Sequence, residues 1–222
     1  MHRVTAITSV LALGACTPLA APILGVDAMV PAEHHAELSA GVVAGTDKLT
    51  GVFAQGDFAL SERVAFAGGF GTDTNLQGVL ARGLFRVRLD GERSPVAAAL
   101  IAGPSANLWT EVSNERTVVR ALPGMQLGFA TTLGREGWRL GVGGLAVIHP
   151  SGGTQFTGAA QARTPLNDDL FLAGELAVTA LPAPGNTDVY QGAMIRFGGR
   201  FRFKPKPVYK DDPEARRGWD SR

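Results

Sequence analysis

The chain is dominated by short segments in which apolar and polar residues alternate. A period of two is the spacing of a β-strand with two different faces. Turn-forming residues separate ten such segments, at 36–45, 49–60, 63–71, 76–89, 94–108, 117–133, 138–149, 155–165, 169–181 and 189–203. The pattern predicts an all-β protein, a single up-and-down antiparallel β-barrel of about ten strands. Eight is the alternative count, because the fifth segment has no charge and the first only Glu37 to fix its phase, and the third is short.

The connections between these segments fall into two classes. Tight turns are expected at 61–62, 90–93, 134–137 and 167–169, and they alternate with longer connections at 72–75, 110–116, 150–154 and 182–188. Alternate connections of an up-and-down barrel lie on the same rim. Short turns and both termini are therefore expected on one rim and longer loops on the other, a layout typical of outer-membrane barrels.

Charged residues fall on only one face of the predicted strands. Two strands each place three arginines in one phase, opposite an apolar face: Arg82, Arg86 and Arg88, and Arg196, Arg200 and Arg202. An uncharged face over a whole domain suits a bilayer, because an ionised group in hydrocarbon costs several kcal/mol. The polar face is mostly Gly and Ala with isolated Gln and Arg, which suits a narrow lumen. The alternative is a soluble periplasmic lipoprotein barrel that binds an apolar ligand inside.

The two ends of the chain have a different character. Residues 1–15 have the positively charged start and apolar run of an export signal. The segment Leu13-Gly14-Ala15-Cys16 resembles a bacterial lipobox, which implies cleavage before Cys16, the only cysteine, and lipidation of that residue. Residues 16–35 are then a tether, 36–203 the transmembrane β-barrel and 204–222 a charged periplasmic tail. The alternative is an ordinary secretory signal cut after Ala20.

The last predicted strand ends in an alternating aromatic pattern, Arg200-Phe201-Arg202-Phe203. It resembles the C-terminal signature of bacterial outer-membrane barrels, in which a terminal phenylalanine helps the assembly machinery to recognise the last strand. The resemblance is to small outer-membrane β-barrel proteins as a class and covers Glu37 to Phe203. It implies location in the cell outer membrane with periplasmic termini. The implied partners are outer-membrane lipids and the barrel-assembly machinery.

Two groups of charged residues are candidate sites. Seven arginines near the short-turn ends of the strands are expected at the periplasmic mouth of the lumen: Arg63, Arg86, Arg88, Arg139, Arg163, Arg200 and Arg202. They form either a solvated rim paired with nearby acids or an electropositive vestibule for small anions or lipid phosphates. Deeper in the lumen, Asp57 and Glu175 are expected to neutralise Arg82, Arg120 or Arg196, because an unpaired buried charge costs several kcal/mol.

Little in the sequence points to catalysis or to a cofactor. The net charge of +1 lacks the basic excess of a nucleic-acid binder, and no phosphate-loop, dinucleotide or zinc motif occurs. His34 and His35 are two adjacent ligands and make a weak metal site, so no metal is predicted. An outer-membrane lipid-modifying hydrolase is the remaining enzymatic alternative, with His149 and Ser151 as its only pair and no identifiable acid. The sequence favours a structural or narrow-pore role without catalytic activity.

Overall fold

The protein folds into a closed barrel of ten antiparallel strands. The computed structural model describes residues 25, 27–32, 35–45, 51–73, 78–90, 94–113, 116–134, 138–150, 153–183 and 186–203. The strands are β1 His35–Gly45, β2 Gly51–Ala59, β3 Val64–Asp73, β4 Gly78–Arg88, β5 Val96–Ser113, β6 Arg116–Leu133, β7 Arg139–His149, β8 Gly153–Pro165, β9 Leu170–Ala183 and β10 Asn186–Arg202. This confirms the predicted fold class and the count of ten.

Closure is made by the first and last strands. Each strand pairs with its neighbours in the chain, and β1 pairs with β10 from His35 opposite Arg202 to Gly45 opposite Gly192. The β1–β10 pairing closes the sheet on itself, so the first and last strands do not form open edges along this register. Among the described residues, no helix has the length and hydrophobicity needed to cross a membrane.

The alternation in the sequence becomes an alternation in burial. In β4, Arg82, Leu84 and Arg86 are buried inside the barrel, whereas Phe85 and Val87 are exposed on its outer surface. Successive side chains of a strand point to opposite faces, so one phase fills the lumen and the other covers the outside. The predicted orientation of the arginines toward the lumen is confirmed for β4.

The connection predicted as a long loop at 110–116 is instead largely strand. Strands β5 and β6 extend as a paired hairpin as far as Ser113 opposite Arg116. This segment contains β-branched residues and neither Gly nor Pro, so nothing in it stops the strand ladder. The prediction of a loop is wrong here.

Part of the N-terminal segment lies inside the barrel. We call Gly25 and residues 27–32 the plug segment, since Asp27, Ala28 and Met29 are buried in the lumen. Ala28 and Met29 pack against apolar side chains of the wall: Ala67, Leu84, Ala97, Ala99, Ile101, Ala130, Leu145 and Val147. Many of these wall residues are alanines, which leave space that a close-packed interior must fill. The prediction of a tether is wrong for the plug segment, whereas residues 1–24 and 204–222 lie outside the described residues.

Candidate functional site: the charged lumen

A buried ion pair joins two strands across the lumen. The Arg163 guanidinium on β8 donates to both carboxylate oxygens of Glu37 on β1, from Nη1 to Oε2 at 2.6 Å and from Nη2 to Oε1 at 2.8 Å. The two side chains are 10% and 9% exposed. Arg200 Nε also donates to Glu37, at 3.4 Å, and Arg163 stacks on the Phe171 ring at 3.6 Å. Arginine is better suited than lysine to both interactions, the ion pair with two hydrogen bonds and the stacking on an aromatic ring.

Asp27 of the plug segment lies among three arginines of the wall. Its carboxylate is 3.7 Å from Arg86 Nη1, 3.6 Å from Arg139 Nη1 and 3.9 Å from Arg163 Nη1. Arg86 Nη1 also donates to the Asp27 carbonyl at 2.8 Å, and Arg86 Nη2 donates to Asp57 Oδ1 at 3.1 Å. The plug segment therefore supplies an additional anion to the wall at this level.

Gly25 makes a second set of contacts farther along the lumen. Its N–H donates to Glu175 Oε2 at 2.8 Å, and its carbonyl accepts from Gln55 Nε2 at 2.8 Å and from Arg196 Nη1 at 2.7 Å. Its φ of 69° lies in the left-handed region that favours glycine. A Cβ atom here would overlap Nη2 of Arg82. The positive φ and this close approach both favour glycine at this position of the plug segment.

The structure divides the seven predicted mouth arginines into three groups. Arg86, Arg139, Arg163 and Arg200 surround Asp27 and Glu37 as described above. Arg88 pairs with Asp90 at 2.6 Å, and Arg63 and Arg202 are exposed on the short-turn rim. A solvated rim is therefore the wrong description of Arg86 and Arg163, because both are buried and paired with carboxylates of the lumen.

The structure places several of the residues predicted deeper in the lumen inside the barrel, but not all of them with the expected partners. Asp57, Arg82, Glu175 and Arg196 are all buried. Asp57 pairs with Arg86 and not with one of the arginines expected for it. The backbone of Arg120 lies in β6 opposite Trp109, and its side chain is outside the described residues. Three other candidates also lie outside them: Cys16, His34 and Ser151.

Sequence reasoning missed two of the four carboxylates that are buried in the lumen among the described residues. Glu37 stands in the phase opposite to the exposed Leu38 and Val42, and that alternation could have placed it in the lumen. Asp27 was missed because residues around it show no strand period. The position of Asp27 in the lumen depends on the closure of the whole barrel around the plug segment.

Asp90 in the β4–β5 turn offers a pH-dependent test of the short-turn rim. Hydrogen bonds from Arg88, and one from the Ala98 backbone N–H at 2.9 Å, lower the pKa of Asp90 to about 2. The folded-state pKa is below the usual value of about 3.9, so this stabilisation is complete above that value and lost as the pH falls through about 2. We expect Asp90→Asn to lower the urea midpoint at pH 7, with a difference from wild type that shrinks over this acidic range. A difference that did not change with pH would contradict this role of Asp90.

No protein-family model and no curated protein matches this sequence. Solved structures with a similar fold include the N-terminal β-barrel domain of Pseudomonas aeruginosa OprF, with a TM-score of 0.43 at 9% identity, over 76% of this chain and 98% of that one. The outer-membrane protease OmpT from Escherichia coli gives 0.44 at 11% identity, over 76% and 96%. The KdgM porin gives 0.43 at 8% identity, over 76% and 99%. These values are too low to support an inference about function, which has to come from the surfaces of this barrel.

Proposed function

We propose that this protein is an integral outer-membrane β-barrel with a structural or narrow-pore role and no catalytic activity. The observation that carries the proposal is a belt of exposed apolar side chains to which all ten strands contribute. Its members include Leu38, Val42, Val52, Phe58, Phe70, Phe85, Val87, Leu100, Leu127, Phe129, Leu140, Val142, Phe156, Leu172, Leu176, Ile195 and Phe197.

Among the described strand residues, the outward phase that carries this belt contains no charged side chain. Every charged strand residue whose side chain is described lies in the inward phase. Monomeric soluble proteins rarely expose a contiguous apolar patch larger than a few hundred Å², and their surfaces are rich in charged residues. A lipid environment accounts for both features, because hydrocarbon accepts apolar side chains and excludes ionised ones.

The contents of the lumen favour this proposal over a soluble barrel that binds an apolar ligand. The side of the lumen around Asp27 holds ion pairs and a segment of the chain itself. The cavity between Asp27, Glu37 and Asp57 has a volume of only about 10 Å³, enough for about one water molecule. The described interior between Asp27, Glu37 and Asp57 is filled and charged, which does not suit an apolar ligand.

The position of His149 supports the absence of hydrolase activity. A hydrolase acting on membrane lipid needs its catalytic histidine on the outer surface of the barrel. His149 lies instead in the inward phase of β7, and its Nδ1 is 3.1 Å from the Pro123 carbonyl. Lipid A mass spectrometry after expression is expected to show no change, and a new deacylated species would contradict the proposal.

Lipidation and orientation belong to the same proposal. We propose that Cys16 is acylated, that the short-turn rim and both termini are periplasmic, and that the barrel-assembly machinery inserts the protein among outer-membrane lipids. Metabolic labelling with a fatty acid is expected to label the wild type and not Cys16→Ser. Labelling of both proteins equally would contradict acylation at Cys16.

A pair of exposed leucines tests the membrane assignment directly. Leu176 lies half-way along β9 and is 68% exposed, and Leu60 follows β2 on the short-turn rim and is 59% exposed. In a Cys16→Ser background, nitroxide labels on Leu176→Cys and Leu60→Cys are compared by EPR in lipid vesicles. The label at 176 should be accessible to oxygen and shielded from a water-soluble nickel chelate, and the label at 60 accessible to the chelate. Equal access of the chelate to both would contradict the proposal.

A further inference from the structure

The barrel wall and the plug segment are held by different interactions. The ten strands close through backbone ladders between neighbouring strands, in which the plug segment takes no part. The plug segment is held through polar contacts at Gly25 and Asp27, one hydrogen bond from Ala28 N–H to Thr132 Oγ1 at 2.9 Å, and the packing of Ala28 and Met29. Water or a solute anion can replace the polar contacts among these, because a water-mediated hydrogen bond is nearly as favourable as a direct one. The barrel can therefore persist when the plug segment leaves it.

The wall around the plug segment carries an excess of positive charge. Six arginines with described side chains face the lumen at this level: Arg82, Arg86, Arg139, Arg163, Arg196 and Arg200. Three described carboxylates of the wall face them: Glu37, Asp57 and Glu175. Asp27 supplies a fourth negative charge, and its departure leaves the wall with a larger excess of guanidinium groups. Clustered cations in a cleft of low dielectric constant concentrate anions from solution.

A cavity leads from the short-turn rim to the same arginines. It has a volume of about 520 Å³ and is lined by Arg139, Arg163 and Arg200 together with residues 165–171 of the β8–β9 connection. Asp168 and Asp169 line its outer part, while the arginines line the part next to Asp27. A solute entering from this rim therefore reaches the groups that hold the Asp27 carboxylate.

We propose that the arginines around Asp27 form an anion-binding site, which this structure shows occupied by the plug segment, and that displacement of the plug opens an anion-selective pathway through the lumen. The ligand class is a small anion such as chloride, a carboxylate or phosphate, which competes with the Asp27 carboxylate for Arg86, Arg139 and Arg163. This inference rests on the proposed function, because conduction requires a barrel that spans a bilayer.

Gly25 offers a way to displace the plug segment with one substitution. Gly25→Val places a branched side chain at a positive φ and against Arg82, so the plug segment should no longer fit its site. Gly158→Val is the matched control, since a Cβ there points outward from β8 and meets no atom within 4 Å. Full-length wild type and both variants are reconstituted into planar bilayers with a potassium chloride gradient, and insertion is checked by the heat-modifiable gel shift.

We expect wild type and Gly158→Val to be mostly closed and Gly25→Val to conduct, with about a tenfold or greater increase in open time. Tenfold corresponds to about 1.4 kcal/mol, which the backbone strain of a branched residue at a positive φ can supply without any other effect. The reversal potential should show preference for chloride over potassium. In the Gly25→Val background, Arg139→Gln should reduce that preference, and inorganic phosphate should block the current.

The possible negative results distinguish the membrane assignment from the anion-binding site. If none of the proteins inserts into bilayers, the membrane assignment fails together with this inference. If all insert and Gly25→Val conducts no more than wild type, or if its pathway prefers potassium, the anion site is overturned while the membrane assignment stands. If Gly25→Val alone does not fold, Asp27→Asn is measured in its place. It removes the competing carboxylate without added volume, and an unchanged closed state would overturn the inference.

Discussion

Replacing Glu37 with glutamine is expected to lower the free energy of unfolding by about 3–5 kcal/mol, the usual cost of removing one partner from a buried ion pair. Arg163 would keep its charge in the interior, while the neutral glutamine amide could accept only one of the two hydrogen bonds that the Glu37 carboxylate accepts. Urea unfolding of the reconstituted protein measures the loss. Glu62→Gln makes the same chemical change on the exposed β2–β3 turn, and it should shift stability by no more than about 0.5 kcal/mol.

A second substitution separates the cost of the orphaned charge from any other effect at this site. When both partners of a buried pair are replaced by uncharged residues of similar size, stability often recovers. The double variant Glu37→Gln with Arg163→Met should therefore be more stable than Glu37→Gln alone. Equal stability of Glu37→Gln and Glu62→Gln would show that the Glu37–Arg163 contact does not hold the barrel together.

Replacing Leu176 with arginine is expected to destabilise the protein in lipid by about 2–4 kcal/mol, the cost of an arginine on the lipid face near the bilayer midplane. Leu176 lies in the middle of β9 and is 68% exposed, so the new side chain would meet lipid and not the lumen. Unfolding in phospholipid vesicles, followed by urea titration, measures the effect. Leu60→Arg on the short-turn rim is the control, because the charge there reaches water and should cost about 0–1 kcal/mol.

The outcome at Leu176 discriminates between a membrane barrel and a soluble one. On a water-exposed surface the same arginine would be tolerated, since substitutions away from special features usually change stability by about 0.5 kcal/mol or less. Equal effects of Leu176→Arg and Leu60→Arg would therefore contradict a lipid-facing belt. A loss of stability confined to Leu176→Arg would agree with it.

Local alternation was sufficient to predict the strands and their faces. The strand faces were predicted from residues an even number of positions apart on the same strand, such as Arg82, Arg86 and Arg88, and the period of two survives in any antiparallel barrel. Strand ends were less predictable. The β5–β6 hairpin extends through residues expected as a loop, because pairing with the adjacent strand determines where a ladder stops.

Partners across the lumen could not be predicted in the same way. Arg163 and Glu37 are 126 residues apart in the chain, and Arg196 and Gly25 are 171 apart. Their contacts exist only because the β1–β10 pairing closes the barrel and brings distant strands around one lumen. The alternation of residues along each strand does not show which residues of distant strands meet across the lumen.

By itself, the sequence determined the all-β class, a barrel of about ten strands and the restriction of charge to one strand face, because these depend on the local pleat of each strand. The tertiary structure alone decided which carboxylate meets which arginine and that the plug segment enters the lumen. The physical reason lies in the interior of the barrel. Small side chains line it and leave space to be filled, and its buried arginines need carboxylates as partners.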